Sequence, residues 1–415
     1  MITKYQHWLS KKYLAYEMLT NFWLVNAIWL YFYRIFITDQ QIGLLDGIAF
    51  AIGLIAEVPS GVLADKFGRD KLVKLGQILS GLGFLIQGFG SNFITFFIGQ
   101  SIMMIGVAFV SGADQALFFS KLNFEQGSKH WRKLLTRGSQ LALTSILFAT
   151  VIGAWFYTIN PRLPWIMSGL VCFAACALIW SLKEKRVIGK SKKLTAEFKD
   201  YVSSIKTGFM YFFKPNLLPY VSIVIIVQGL FYSTDWGLLR LVLLDRFHFI
   251  PFWGSVIIST SSLVTVGILH LMHKYAEKID ERIVIVSVSL SVALSLILSV
   301  FDIRIWGFMV IFILYAGGNI LHPFLSEIFN SKTSDDKRAT VLSVASFLRT
   351  LPYVALAPII GYYNEHNKLE YFLFGWSFLV LVSVIVYIIQ KNKDKKIELV
   401  KIELEEEMGH FTENK

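Results

Sequence analysis

Charge is scarce in this chain. Asp, Glu, Lys and Arg make up 17% of its 415 residues, against about a quarter in an ordinary soluble domain. The charges are also clumped, which excludes an evenly solvated globular surface. Cysteine is nearly absent. Cys172 and Cys176 stand one helical turn apart inside an apolar run. Two such residues make neither a disulfide framework nor a structural metal site, and they say nothing about compartment. No glycine loop of the Walker type is present, so ATP drive from this chain is not expected. The histidines and acids show no nucleophile–base or metal-ligand spacing, which argues against an enzyme and against any metal or cofactor. A sensor would need an output domain, and no polar segment is long enough to form one.

What the chain has instead is apolar length. Hydrophobic residues make up 55% of it, in runs of roughly 20 residues, the length that crosses a ~30 Å hydrocarbon core. The runs are too long and continuous for barrel strands, so helices are expected. Twelve spans emerge, at about 13–37, 41–64, 71–90, 93–120, 138–159, 163–182, 217–244, 251–272, 282–301, 305–329, 339–363 and 370–390. The first run is too long and too aromatic for a cleaved signal peptide, and reads as the first membrane helix.

The net charge of +11 suggests nucleic acid only when position is ignored. Lys and Arg concentrate in alternate connections: the N-terminus, 65–70, 121–137, 183–216, 273–282, 330–338 and the stretch after 390. The intervening connections hold only Arg162, Arg246, Arg304 and Lys368. By the positive-inside rule the basic set is cytoplasmic, and an even number of spans leaves both termini inside. The asymmetry accounts for the charge, so the expected partner is a lipid bilayer and not nucleic acid.

The longest connection, 183–216, divides an N-terminal six-helix bundle (1–182) from a C-terminal one (217–390), with a charged tail at 391–415. Within that connection Phe198, Tyr201, Val202, Ile205, Phe209 and Phe212 recur at helical spacing among Lys199, Lys206 and Lys214. This reads either as an amphipathic helix on the inner leaflet or as a soluble linker helix. The halves echo each other. ADKFGR at Ala64–Arg69 and AEKIDER at Ala276–Arg282 follow equivalent spans, and RGSQLALTS from Arg137 and RATVLSVAS from Arg338 open equivalent ones. Repeated halves around a central pathway are a transporter architecture.

Between spans two and three stand Gly61, Leu63, Ala64, Asp65, Lys66, Gly68 and Arg69. Around them are Glu57-Val58-Pro59-Ser60, SGADQAL at Ser111–Leu117 and RATVLS at Arg338–Ser343. In this setting the pattern resembles the signature of the major facilitator superfamily. Asp70 departs from it, standing where a base is usual. The resemblance covers the whole membrane portion. It implies an all-α membrane protein of twelve transmembrane helices in two pseudo-symmetric six-helix bundles, and a monomeric secondary transporter of a small molecule in the cell membrane. It further implies a cytoplasmic latch. Gly61 would let another helix approach closely. Asp65 would face the N-terminus of span eleven, where an anion is favoured by ~0.3–1 kcal/mol. Arg69 would pair with Asp114. The alternative is a topogenic loop whose charges stay in water.

Ionisable groups at membrane depth need a partner or a use. Arg34 and Asp46, at similar depth near the outer ends of spans one and two, read as an outer ion pair; the alternative is an Arg34 that snorkels alone. Polar stripes mark four spans: Asn26, Trp29 and Tyr33 on one; Gln100, Met104 and Ser111 on four; Gln228, Tyr232 and Asp235 on seven; Tyr315, Asn319, His322 and Ser326 on ten. In the family these four spans line the central cavity. Polar helix packing is the competing reading. Arg240 is expected near the outer surface, and Arg349 and Tyr353 reach either the cavity or the latch. Two usual marks of proton coupling are missing: Ile102 stands where an arginine precedes the span-four glycine, and span five offers only Gly153. Coupling to protons stays open, with Asp235, Asp46 or His322 as carriers. The family resemblance favours export of an amphipathic compound, with import of a metabolite as the second reading.

Overall fold

In a computed structural model the structure describes residues 4–122, 129–183, 203, 206, 209–210, 212–215, 217–274, 280–333 and 335–413. Every regular element among the described residues is a helix. In chain order the helices are α1 (Lys4–Thr20), α2 (Trp29–Tyr33), α3 (Asp39–Phe67), α4 (Arg69–Phe89), α5 (Phe93–Val110), α6 (Ala113–Leu122), α7 (Lys129–Ile159) and α8 (Leu163–Ile179). They continue with α9 (Leu218–Ser222), a π-helical turn at Ile223–Gln228, α10 (Gly229–Asp235), α11 (Leu238–Arg246), α12 (Pro251–Lys274), α13 (Glu281–Leu298), α14 (Gly307–Ser331), α15 (Asp335–Glu365) and α16 (Leu369–Glu413). Of the amphipathic pattern expected at 198–212, only Phe209 and Phe212 among its apolar positions are described, and the rest lies outside the described residues.

Among the described residues, ten stretches are long and apolar enough to cross a membrane. Two of the twelve expected spans are not among them. The apolar stretch 163–182 forms a helix of only 17 residues. The first span is not one helix: α1 stops at Thr20 and α2 starts at Trp29. The break has tertiary causes. The Leu24 amide donates to Ser168 Oγ at 3.1 Å instead of to its own helix. Gly153 of α7 lies so close that a β-carbon there would overlap the Leu24 carbonyl oxygen. Unwound backbone at this depth is tolerated because protein surrounds it.

The seventh span is interrupted as well. It passes from α9 through the π turn into α10, then breaks at Trp236–Gly237 before α11. A π turn inserts a residue and rotates the face that follows.

Within the first part of the chain α4 packs on α5 and α8, and α3 on α5. In the later part α13 packs on α14 and α16, and α12 on α14. The two parts meet chiefly where α3 crosses α15 and where α7 crosses α12. At the α3–α15 crossing a β-carbon on Gly43 would overlap the Ala357 carbonyl oxygen and lie 3.1 Å from the Gly361 Cα. One turn on, a β-carbon on Gly47 would lie 2.7 Å from the Val354 oxygen. Small residues on both helices permit this approach.

Candidate functional site

A cavity of about 460 Å³ lies where the break in the first span meets α3, α4, α5 and α8. Seven of the expected cavity residues line it: Asn26, Trp29, Tyr33, Gln100, Met104, Ser111 and Tyr232. Sequence reasoning missed Trp165 and Cys172 of α8 and Gln77 and Phe84 of α4, which contribute to the wall, and of its two alternatives for Tyr353 of α15 the cavity is the one where it lies. On an apolar helix a lone aromatic carries no distinguishing signal. Tyr33 and Trp165 form one corner, with ring centroids 5.3 Å apart, and the Tyr33 hydroxyl donates to Gln87 Oε1.

Six expected cavity residues do not line it: Gln228, Asp235, Tyr315, Asn319, His322 and Ser326. The spacing argument assumed straight helices. The π turn carries Gln228 off the face of Tyr232, where it is buried with its amide nitrogen unpartnered. Asp235 ends α10 beside the break, and its backbone carbonyl accepts from Arg240. On α14 the Asn319 amide donates to its own helix, to the Tyr315 carbonyl at 3.0 Å.

The expected Arg34–Asp46 pair is not formed. Arg34 binds Asp39 at 2.7 Å and Asp245 at 2.7 Å, and Asn364 donates to the same Asp39 carboxylate. The reason is depth. Thr38 caps α3, with Gln41 completing the capping box, so Asp39 opens the helix. Asp46 lies seven residues further on, about 10 Å down the axis. It is a cavity residue instead. The Tyr353 hydroxyl donates to one of its oxygens, and Gln100 Nε2 lies 3.4 Å from the other. Tyr353 in turn accepts from the Leu238 amide at 2.9 Å. The phenol therefore joins α3 to the start of α11. Phe50, Tyr232 and Tyr353 cluster around it, with centroids 4.4 to 5.2 Å apart.

Arg240 also departs from expectation. It is 4% exposed, and its Nη2 donates to the Asn26 carbonyl at 3.0 Å. The break in the first span thus leaves a carbonyl free to accept from the seventh.

At the opposite end of α3 lie the residues of the expected latch. Gly61 is exposed and a β-carbon there would meet nothing within 4 Å, so the close helix approach expected at this glycine is not made in this structure. Gly68, at φ +97°, makes the turn into α4. Lys66 lies 5.5 Å from the Phe67 ring centroid. The Asp65 side chain lies outside the described residues. The Asp114 carboxylate accepts from the Gln115 amide at 2.6 Å. Asp70, the departure from the signature, is buried and pairs with Lys74 at 3.2 Å, and Lys74 also reaches the Leu182 carbonyl at 2.6 Å. Among the described residues no group of three or more His, Cys, Asp or Glu forms a metal-binding cluster.

The sequence pattern of the Major Facilitator Superfamily matches residues 16–357, and the chain belongs to that family. It is similar to Multidrug resistance protein 2 of Bacillus subtilis, 24% identical over 360 residues, covering 83% of this chain and 85% of that protein. It is also similar to the Quinolone resistance protein NorA of Staphylococcus aureus, 21% identical over 372 residues, covering 87% and 90%. Among solved structures it shares its fold with a peptide transporter POT in complex with sulfate, at TM-score 0.70 and 14% identity over 93% of this chain and 95% of that one. It shares it too with a bacterial homolog of the human lysosomal transporter Spinster, at TM-score 0.67 and 13% identity over 94% and 98%. The chain is a multi-pass membrane transporter and not an enzyme.

Proposed function

We propose that this protein is a secondary active transporter that exports a small amphipathic compound by alternating access. In this reading twelve spans form two six-helix bundles, 1–182 and 217–390, joined by a cytoplasmic linker at 183–216. Both termini and the 391–415 tail lie in the cytoplasm of a monomer in the cell membrane. The observation that carries the reading is the cavity itself. Its walls come from both parts of the chain, Arg34 pairs with Asp39 toward one end of α3, and Gly61 meets open space toward the other. A cavity of mixed aromatic and polar lining suits an amphipathic ligand. Gly61, Asp65, Lys66, Gly68, Arg69 and Asp114 form the latch that closes the cytoplasmic side in the other state. The similarity to multidrug and quinolone resistance proteins supports export.

The test is accumulation of a panel of amphipathic dyes in energised cells that lack their own pumps. Lower accumulation in cells carrying the wild type, abolished by a protonophore and by Asp65→Asn, is the expected result. Equal accumulation of every dye, with the protein inserted, would overturn export. The second reading, import of a small metabolite, would then stand; the fold likeness to a peptide transporter favours it, and an uptake panel would follow.

A further inference from the structure

A second chamber, of about 330 Å³, lies beside the main cavity toward the splayed end of α3 and α15. The two spaces share Phe50, Met104, Val107 and Tyr232 in their walls. Two charged residues face each other across the second one. Glu57 comes from α3 and Arg349 from α15. Among the described residues neither side chain has a hydrogen-bond or ion-pair partner, and Arg349 Nε is both buried and unsatisfied; the Glu57 backbone carbonyl accepts from Ser60 Oγ at 2.7 Å.

A buried guanidinium nitrogen left unpaired at membrane depth is expensive and marks a site of use; Glu57 is exposed, in the wall of the same chamber. Glu57 lies in α3 and Arg349 in α15, both helices with apolar stretches of membrane-crossing length. They do not neutralise each other here because the helices diverge from the Gly43–Gly361 crossing. Glu57 is fourteen residues from Gly43, about 21 Å along the helix, and Arg349 is twelve from Gly361, about 18 Å. The two therefore stand at matching heights on the opening arms of a wedge. Between them lie Met104, Phe347 and the Phe50–Tyr232 pair, an apolar surface suited to a flat ring.

We propose that this chamber binds a small aromatic zwitterion, its carboxylate held by Arg349, its ammonium by Glu57 and its ring against Phe50 and Tyr232. Arg offers a planar fork that matches a carboxylate, and Glu57 accepts from an ammonium. The ligand supplies both missing partners at once, which neither a lipophilic cation nor an aromatic acid does. The proposal rests on the transporter reading and names the substrate class of the pathway.

The test uses full-length protein in nanodiscs and equilibrium binding of three probes on one ring system: tryptophan, tryptamine and indole-3-propionate. Tryptophan binds tightest. Glu57→Gln weakens tryptophan and tryptamine by about tenfold to hundredfold, the scale of a charge-assisted hydrogen bond, and leaves indole-3-propionate unchanged. Arg349→Gln does the converse. The unchanged probe in each variant shows that the variant is folded. Equal losses for all three probes would overturn the proposal and make Glu57 and Arg349 a pair that closes the wedge. No binding, or no preference among the probes, would overturn it too. Binding needs no driving force, so loss of driven flux with binding intact would count against the transporter reading and leave the site standing.

Discussion

At one end of the α3–α15 crossing, Gly43 and Gly361 bring two helix backbones into contact; at the other, Gly61 of the same helix faces open space. Both ends carry charge. At the shut end Arg34 ties Asp39 to Asp245. At the open end Glu57 and Arg349 stand apart. The difference separates packing from charge as the cause of closure. Arg34, Asp39 and Asp245 have side chains 24%, 13% and 46% exposed. Such pairs contribute about 0–1 kcal/mol each. A side chain forced between Gly43 and the Ala357 carbonyl costs about 1–3 kcal/mol or more. Packing decides whether the end can close, and the ion pairs set its register.

The largest effect is therefore expected from Gly43→Leu. The added side chain has no room in the shut end, so the population moves to states open there and transport is lost. Spin labels at the exposed Leu44 and Tyr362 should report a longer distance in the variant. An unchanged distance would mean that the crossing does not hold this end.

Tyr353→Phe comes next. Tyr353 ties α3 to α15 between the two ends, through Asp46, and also takes the Leu238 amide. Its loss leaves a buried amide unpaired and costs about 1–3 kcal/mol. Thermal unfolding should show the destabilisation, and labels at the shut end should move less than in Gly43→Leu. If both variants open that end equally, the crossing and the phenol act as one unit.

Arg34→Glu should do less. It exchanges two attractions for two repulsions among partly exposed groups, worth about 1–2 kcal/mol in all, and raised salt should soften it. Arg34→Asp combined with Asp39→Arg should recover much of the lost transport. Arg34→Asp combined with Asp46→Arg should not, because Asp46 lies about two helical turns deeper. Rescue by the second double variant would restore the pair that the sequence suggested.

Much of this architecture was legible in the chain. Apolar run length and the alternation of basic connections mark the membrane helices, because hydrocarbon thickness and the translocation cost of Lys and Arg act on sequence directly. The cavity was half legible. Asn26, Tyr33, Gln100 and Tyr232 line it, because their helices are regular there or their break turns inward. Gln228 and Asp235 were misplaced because a π turn and a break shift the periodicity, and nothing local in IVIIVQ announces the turn. The break at 21–28 contains neither glycine nor proline. Its cause lies 129 residues beyond Leu24, at Gly153, and in the hydroxyl of Ser168. Asp46 was read by depth alone, without the Thr38 cap that puts Asp39 in front of Arg34.

The smallest effect on this state, and the sharpest test of the comparison, is expected from Gly61→Ala. Nothing lies within 4 Å of the β-carbon it would add, and alanine is the better helix former by roughly 1 kcal/mol. In the state with the Gly61 end open, stability and ligand binding should be unchanged or slightly improved. If the Gly61 end closes as the Gly43 end does, by backbone approach at a glycine, the same methyl obstructs the alternative state. Turnover then falls while equilibrium binding holds. Full turnover in Gly61→Ala would show that the open end closes without close packing at this residue. Closure there would then rest on charge, through Asp65 and Arg69, and it should weaken steeply as salt is raised, where closure at the Gly43 end should not.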